Sequence, residues 1–537
     1  MARQLLLPAL CAALFSLLNC VGVEGKLYSN HVDQTERFAK RTQPTRRGIE
    51  SRTTNTSSFR YLTDATSEYR VASLPDIDID VGELYSGMMP VDESDPDSAM
   101  FFFFEPRIGG DPVDEITIWL NGGPGCSSLE GFLQETGTFI WSWGMANAQQ
   151  NMYAWANLTN MLWVEYPLGV GFSANYTPVA TSEEEIAADF LKFFKNFQTK
   201  FGIKNYKIFV TGESYAGRYV PYIADAMIEA NDPCYYNLSG ILIYDPTIGQ
   251  LDRQETAIPI VPFVEDHAKF FNFNKTYMDH LSYAYESCGY RNYTDTYLTY
   301  PASGVQPSFE PNTTADGCDL WNEVYKEAYR INPCFNVYEI SLMCPLPSDP
   351  LGFPSDLVYL YPAFGDYAYF DRPDVKAAIH APESVTWSEC NGLAFNGSGG
   401  PAGYGDLSAD PLQHVLPRVI ETTNRVLIAG GDYDMELPVV GTLLGIQNMT
   451  WNGALGFVAR PSKPIDIKLP DLQYAQVYVD SGFEGWDGPG QGIMGVQHYE
   501  RGLMWAETYQ SGHMQPQFQP RTTYRHLSWV LGRIEVL

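Results

Sequence analysis

The sequence predicts an α/β fold in which a mostly parallel central sheet carries helices on both faces. From residue 76 onward, apolar runs of strand length alternate with segments of helical periodicity. One such run leads through Gly-Glu-Ser-Tyr-Ala-Gly at 212–217 into a helical segment, so that strand, sharp turn and helix follow one another. Strands that alternate with helices in this way are typical of parallel sheets, which are buried on both faces.

The predicted elements are short and well bounded by turn-forming residues. Strands are predicted over residues 101–104, 116–120, 161–164, 206–211, 238–244 and 425–429. The clearest helix covers residues 182–201, because Thr181-Ser182 precede it and acids at 183–185 occupy its first turn. Further helices are expected over 218–227 and 373–380 and near the C-terminus.

The N-terminal part of the chain is typical of a targeting and processing region. Residues 1–25 predict a secretory signal peptide, since Arg3 precedes an apolar stretch at 5–18 and small residues follow. Residues 26–70 are polar and contain two dibasic pairs, so we expect a leader or propeptide there. The stretch at 5–18 is short for a membrane span, no later segment is apolar enough for one, and no membrane partner is expected.

The fold is expected to occupy two separate parts of the chain, 71–250 and 366–537. Between them, residues 251–365 break the alternation of strands and helices and contain three glycosylation sequons, many tyrosines and several cysteines. This profile favours a disulfide-braced cap inserted into the α/β core.

The cysteines indicate an oxidising compartment. Cys11 and Cys20 leave with the signal peptide; the others are Cys126, Cys234, Cys288, Cys318, Cys334, Cys344 and Cys390. This odd number admits up to three disulfides and one free thiol. No Cys-x-x-Cys or paired-histidine spacing is present, so we expect neither a metal nor another cofactor.

Candidate N-glycosylation sites support secretion. The Asn-x-Ser/Thr sequons begin at Asn55, Asn157, Asn175, Asn237, Asn274, Asn292, Asn312, Asn396 and Asn448. A glycosylated surface and a signal peptide together favour an extracellular protein, with a vacuolar or lysosome-like compartment as the alternative.

The chain is strongly acidic, with a formal net charge of −30 and a pI near 4.5. Phosphate binding requires a basic face, so nucleic acid is excluded as an expected partner. Acidity suits an acidic extracellular or vacuolar setting, where protonation relieves self-repulsion, although a merely soluble surface explains it equally well. The oligomeric state remains open.

Ser214 is the candidate nucleophile. It stands in the middle of the strand–turn–helix segment, where a strained turn exposes a serine hydroxyl and small neighbours let strand and helix approach. Ala216 replaces the final glycine of the usual Gly-x-Ser-x-Gly pattern but keeps the side chain small. The alternative to a catalytic role is an ordinary glycine-rich turn of an α/β protein.

In an α/β hydrolase the nucleophile is followed along the chain by an acid and then a base. Asp432 and Asp434 both follow the predicted strand at 425–429, and we favour Asp434 because it lies further into the turn.

Three histidines follow these acids. His513, in a loop bounded by glycine and proline, is the favoured base, His526 is expected to be structural, and His498 stays open on chain order alone. Serine needs both partners: an imidazole removes its proton, and a carboxylate orients the imidazole and stabilises its charged form.

A glycine-rich loop is the candidate oxyanion hole. Asn-Gly-Gly-Pro-Gly-Cys-Ser-Ser at 121–128 follows a predicted strand, and its glycines would bring backbone N–H groups close to a ligand. The natural pair of donors is the N–H of Gly123 with that of Tyr215, the residue after the nucleophile.

The motifs at 121–128 and 212–217, with Gly-Asp-Tyr-Asp at 431–434, Gly-His-Met-x-Pro at 512–516 and Asp-Val-Lys-Ala-Ala-Ile-His at 374–380, resemble the serine carboxypeptidase family. The resemblance runs from about residue 76 to the C-terminus and implies an α/β-hydrolase fold. It also implies the triad Ser214, Asp434 and His513, the oxyanion hole at Gly123 and Tyr215, and a disulfide between Cys126 and Cys390.

The resemblance further implies that Asn121, Glu135 and Glu213 hold the terminal carboxylate of a peptide substrate. Glu135 precedes Thr-Gly where the family more often has Gly-Pro, and no cysteine follows Asp434. Two neighbouring carboxyls cannot both ionise cheaply, so one retains a proton with which to bind the substrate. Peptide kcat/KM should therefore fall as pH rises through weakly acidic values, and should also fall on the acid side as His513 protonates.

These observations together predict a secreted serine-type carboxypeptidase, active at acidic pH, that releases C-terminal residues through an acyl-enzyme. The alternatives are an acyltransferase on the same scaffold, in which an alcohol replaces water, and a non-catalytic binding or protective protein that retains the fold.

Overall fold

The computed structural model places an extended mixed sheet at the centre of the molecule. It describes residues 59–537 except 93, 174–177, 308–316, 345–348, 353–367, 392–393, 400–403 and 471–489. The described strands of this sheet are β1 (Arg70–Val71), β2 (Leu84–Asp92), β3 (Asp95–Glu105), β4 (Glu115–Leu120), β5 (Asn160–Val164), β6 (Lys207–Glu213), β7 (Asn237–Tyr244), β8 (Val426–Gly431), β9 (Lys463–Pro470), β10 (Gly490–Glu500) and β11 (Leu503–Thr508).

Neighbouring strands follow the order β1-β2-β3-β5-β4-β6-β7-β8-β11-β10-β9. Within this order, the neighbouring strands β5-β4-β6-β7-β8-β11 are parallel to one another. Both edges of the sheet, β1-β2-β3 and β11-β10-β9, are antiparallel, as is the junction of β3 with β5. The mostly parallel sheet expected from the sequence is therefore its centre, where helical crossovers join the strands.

The phenylalanine run at 101–104 shows how the two faces of the sheet are filled. Side chains alternate across a strand, and Phe102 and Phe104 lie in one apolar core while Phe101 and Phe103 lie in another. All four are fully buried. A run without polar alternation thus marks a strand that is covered on both faces, as the sequence predicted.

The described α-helices are α1 (Glu183–Phe201), α2 (Ala216–Ala230), α3 (Ile260–Asp266), α4 (Ala268–Phe271), α5 (Lys275–Ser287), α6 (Tyr290–Tyr297), α7 (Leu320–Ile331), α8 (Pro373–Ala378), α9 (Val415–Thr423), α10 (Val439–Gln447), α11 (Gln515–Phe518) and α12 (Pro520–Val530). Helix α1 begins where the sequence predicted, because the Ser182 hydroxyl accepts from the N–H of Glu185 at 3.4 Å while the Glu185 carboxylate accepts from the N–H of Thr181 at 2.6 Å. Helices α1, α2 and α9 pack on one face of the sheet, and α12 contributes to the core on the other.

Helices α3 to α7 lie in the chain between β7 and β8 and share an apolar cluster, which includes Val264, Leu281 and Leu320 and extends to Leu444 of α10. Disulfides join Cys288 to Cys318 and Cys334 to Cys344, and the free Cys234 is exposed. The proposal that residues 251–365 form a cap rests on this cluster and the two disulfides.

Residues 59–70, which the sequence analysis placed with the leader, pack against the core. The Tyr61 ring is 5% exposed and meets Phe104 edge-on at 5.0 Å, and Arg60 donates to Asp114 at 2.8 Å. The described fold thus already includes Phe59 rather than beginning at residue 71. The predicted signal peptide and the rest of the leader lie outside the described residues.

Among the described helices, none combines the length and the apolar character required to cross a bilayer.

Candidate active site

Ser214 occupies a sharp turn between β6 and α2. Its φ is 61°, a left-handed conformation that is costly for a serine, and its N–H donates to the carbonyl of Tyr244 at 2.9 Å. A Cβ on Gly212 would lie 2.3 Å from the carbonyl oxygen of Leu120 and 2.7 Å from the Cβ of Ala216. Small residues on both sides of Ser214 therefore permit the turn, as the sequence suggested.

The imidazole of His513 meets the carboxylate of Asp434. Nδ1 of His513 lies 2.7 Å from Oδ2 of Asp434, which is fully buried. The other oxygen, Oδ1, accepts from the N–H groups of Glu436 at 2.8 Å and Leu437 at 3.3 Å. Both oxygens are thus held by donors, and the carboxylate is fixed in orientation toward the histidine.

The competing residues lie elsewhere. Asp432 accepts from the N–H of Ser511 at 3.3 Å, and burial raises its pKa to about 7. His498 is on β10 and bonds Glu500 at 2.9 Å. Burial lowers the pKa of His526 to about 3, and its ring makes no hydrogen bond with the described residues.

A buried carboxyl that the sequence analysis missed, Asp245, connects the end of β8 to the segment that follows His513. It follows Tyr244 at the end of β7 and accepts from the N–H of Gly431 and from the Gln515 amide, each at 2.6 Å. The N–H of Gln515 in turn donates to the carbonyl of His513 at 3.0 Å. Its position directly after a predicted strand could have identified it, because polar residues at the carboxyl ends of parallel strands gather at one edge of the sheet.

His513 is deeply buried, and its ring is polarised by acids. Burial lowers its pKa and the charge of Asp434 raises it; Asp245 and Glu436 raise it further when ionised, but burial raises their own pKa values, so they lose that charge as the pH falls. Within the described part of the chain, its Nε2 has no hydrogen-bond partner. This nitrogen is therefore available to a hydroxyl or a ligand.

The loop at 121–128 lies against the nucleophile turn. A Cβ on Gly122 would be 2.4 Å from the backbone nitrogen of Tyr215 and 2.8 Å from the Cβ of Ser214, so only glycine permits this approach. Among the described residues, no protein acceptor takes the N–H of Gly123 or that of Tyr215. The loop is tied to the rest of the molecule by the Cys126–Cys390 disulfide, the pair that the resemblance implied.

The side chain of Tyr215 is anchored by an ion-pair network that the sequence did not reveal. Its hydroxyl donates to Asp406 at 2.8 Å, and Nε of the fully buried Arg218 donates to the same oxygen at 2.8 Å. Arg218 also reaches Asp410 at 3.1 Å. The residue that carries one candidate oxyanion donor is thus held at both its backbone and its ring.

Beside Ser214, the amide of Asn121 meets a cluster of carboxyl groups. Its Nδ2 donates to Oε1 of Glu213 at 2.8 Å and to Oε2 of Glu130 at 3.2 Å. Carboxylate oxygens of Glu130, Glu135 and Glu213 all lie within 4.8 Å of one another. Glu130 was missed by the sequence analysis, although it lies only five positions before Glu135.

Two of the three carboxyls, those of Glu135 and Glu213, favour their protonated form. Burial raises the pKa of Glu135 to about 8. Burial and the charges of Glu135 and Glu130 hold the pKa of Glu213 well above its usual range. The spacing would admit a cation, but a carboxyl that retains its proton is a poor metal ligand. The arrangement suits an anionic ligand better, because a protonated carboxyl can donate a hydrogen bond to it.

Comparisons with known proteins identify the family to which the chain belongs. The model of the serine carboxypeptidase family matches residues 75–533. Serine-type carboxypeptidase F from Aspergillus niger is 56% identical over 481 residues, covering 89% of either chain. A probable serine carboxypeptidase from Arthroderma benhamiae is 41% identical over 489 residues, covering 89% of this chain and 88% of the other.

Among solved structures, the crystal structure of Kex1Δp, a prohormone-processing carboxypeptidase from Saccharomyces cerevisiae, has a TM-score of 0.65 at 22% identity and covers 87% of this chain and 96% of that one. This likeness shows a shared fold. The family match and the identity to relatives over most of the chain show more: the protein belongs to the serine carboxypeptidase family and is a serine-type carboxypeptidase.

Proposed function

We propose that Ser214, His513 and Asp434 form the catalytic triad of this carboxypeptidase. The observation that carries the proposal is the buried His513–Asp434 pair, whose imidazole leaves Nε2 without a partner among the described residues, as a general base for the Ser214 hydroxyl requires. Nε2 takes the proton of the Ser214 hydroxyl as it attacks the scissile carbonyl. The imidazolium then gives that proton to the leaving amine, while Asp434 stabilises its charge.

The N–H groups of Gly123 and Tyr215 bind the oxyanion of the tetrahedral intermediate. Both donors are free of protein acceptors among the described residues, and both stand on rigid supports. Donors that are held in place before the reaction stabilise developing charge without a cost of reorganisation. Water then attacks the acyl-enzyme, with His513 again as base and then acid and the same two N–H groups binding the oxyanion.

Specificity for chain ends comes from Asn121, Glu135 and Glu213. No N–H donor of the described residues hydrogen-bonds either oxygen of Glu135 or Oε2 of Glu213. Buried carboxyl oxygens that accept from no N–H group require a ligand or a proton, and a protonated pair can donate to the terminal carboxylate of a peptide. The enzyme therefore takes peptides and proteins with a free C-terminus, and it requires a pH low enough for the pair to retain a proton, which the acidic pH expected from the sequence provides.

The protein is secreted, with a vacuolar destination as the alternative. Three disulfides support an oxidising compartment. The sequon asparagines within the described residues, from Asn157 to Asn448, are all half-buried or exposed and so accessible to glycosylation. Asn55, Asn175 and Asn312 lie outside the described residues.

Timed mass spectrometry of peptides that differ in their last two residues tests the proposed activity. We expect masses to fall by one C-terminal residue at a time, and no change with Ser214→Ala. Internal cleavage, loss of N-terminal residues, or undiminished cleavage by Ser214→Ala would each contradict the proposal.

A further inference from the structure

Asn121 has its full set of hydrogen bonds within the protein. Its Oδ1 accepts from Nε1–H of Trp119 at 2.8 Å and from the N–H of Gly131 at 3.3 Å. These two donors fix the orientation of the amide, so its Nδ2 group faces the carboxyls. One N–H goes to Glu213 at 2.8 Å and the other to Glu130 at 3.2 Å. A side-chain amide has only two N–H donors, so neither is left for a ligand.

A carboxylate that binds Asn121 must therefore displace one of the two glutamates. Glu213 is 3% exposed, sits at the end of β6 next to the nucleophile, and has the shorter bond. Glu130 is half-buried and has the longer bond to Asn121, so this bond costs less to break. Of the two glutamates, Glu130 is therefore the easier to displace from the Asn121 amide.

We propose that Glu130 is a built-in competitor for the C-terminal carboxylate of the substrate. Its carboxylate takes the Asn121 N–H that a peptide terminus needs, and its charge repels that terminus. The inference rests on the proposed function, in which Asn121, Glu135 and Glu213 bind the chain end. It assigns Glu130 the opposite effect: removing its carboxyl group strengthens substrate binding, whereas removing that of Glu135 or Glu213 weakens it.

Binding measured in the full-length Ser214→Ala protein tests this role without turnover. Calorimetry would compare a peptide with a free C-terminus and the same peptide as its C-terminal amide, with and without Glu130→Ala. We expect Glu130→Ala to tighten the free-acid peptide about tenfold, near the lower limit for a hydrogen bond to a charged group. The affinity for the amide peptide should increase less, because its C-terminus carries no charge for Glu130 to repel.

Two further variants make the comparison specific. Glu130→Gln keeps the size of the side chain and an acceptor oxygen but not the charge, so it should tighten binding by an intermediate factor. Glu229→Ala makes the same change in net charge at the far end of α2 and should leave both dissociation constants as they were. Should Glu130→Ala fail to fold, Glu130→Gln carries the test.

The failures of the two proposals are distinguishable. If the Ser214→Ala protein prefers the free acid but Glu130→Ala leaves its dissociation constant unchanged or raises it, the competitor role is overturned and the carboxylate site stands. If the Ser214→Ala protein binds acid and amide equally, the carboxylate site itself is wrong, and the role of Glu130 is wrong with it.

Discussion

At the scale of single residues, short distances along the chain separate very different environments. Asp434 bonds His513 at 2.7 Å, whereas Asp432, two positions earlier, bonds the backbone of Ser511. The turn after β8 directs the two side chains apart. Chain order limits the candidates for the triad acid to Asp432 and Asp434. Which of them meets His513 depends on how the turn after β8 packs against the histidine loop.

Replacing Asp434 with asparagine should cost about 10⁴-fold in kcat with little change in KM, because the amide no longer selects the productive tautomer of His513 or stabilises its charged form. Steady-state kinetics on a peptide would measure this. Asp432→Asn is the matched control and should reduce kcat far less. Equal losses in the two variants would argue against Asp434 as the triad acid.

The pH dependence of peptide hydrolysis should follow the glutamate pair. Burial raises the pKa of both Glu135, to about 8, and Glu213, so the pair retains a proton with which to donate to the proposed substrate carboxylate; once the pH has risen past both pKa values, two ionised groups would repel that carboxylate. Peptide kcat/KM should therefore fall on the alkaline side, and Glu135→Gln should flatten that fall.

An ester substrate without a free carboxylate provides the comparison for this prediction. The same triad cleaves the ester, but the ester has no carboxylate to interact with Glu135 and Glu213. Its kcat/KM should therefore lack the fall on the alkaline side. Superimposable pH profiles for the two substrates would contradict the assignment of the carboxylate site.

At the scale of elements, helix α2 is held to the rest of the core by ions as well as by apolar packing. Arg218, in its first turn, is fully buried against Asp406 and Asp410, and Asp406 also accepts from the Tyr215 hydroxyl. Strand–turn–helix geometry is readable from the motif at 212–217. The partners of Arg218 lie almost two hundred positions away, and no local pattern predicts them.

Asp406→Asn should destabilise the protein by about 3–5 kcal/mol, because it leaves the buried Arg218 guanidinium without its closest charge. Urea unfolding followed by fluorescence would measure the change in free energy. Asp189→Asn removes a partly exposed partner of Lys192 and should cost no more than about 1 kcal/mol. A loss for Asp406→Asn as small as that would show that the network contributes little to stability.

At the scale of the whole molecule, many buried acids favour their protonated form. Burial raises the pKa of Glu105 to about 8 and those of Glu165, Glu255 and Glu339 to about 7. The folded protein therefore binds more protons than the unfolded chain between the ordinary glutamate pKa and these values. Protonation of surface carboxylates in acid also relieves the self-repulsion of a chain with a net charge of −30.

The free energy of unfolding should accordingly fall as pH rises from about 4.5 to about 8, because the unfolded chain releases protons that the folded one retains. The raised pKa of His513 acts in the same direction, and the lowered pKa of His526 opposes it. Thermal unfolding across this range would measure the trend, and Glu105→Gln should reduce its slope. A Tm higher at pH 8 than at pH 5 would contradict the prediction.

The sequence by itself determined the strands and helices of the core, the nucleophile turn and the order of the candidate catalytic groups. These follow from local patterns: apolar runs such as 101–104, the cap at Ser182, and glycines at 212 and 122 where a side chain cannot fit. Only the tertiary structure decided which aspartate meets His513, placed Asp245 between two loops, brought Glu130 to Asn121 and paired Arg218 with Asp406. Each of these contacts joins residues far apart in the chain or depends on a choice between near neighbours. Burial makes such contacts necessary, because it removes the water that would otherwise solvate the charged groups.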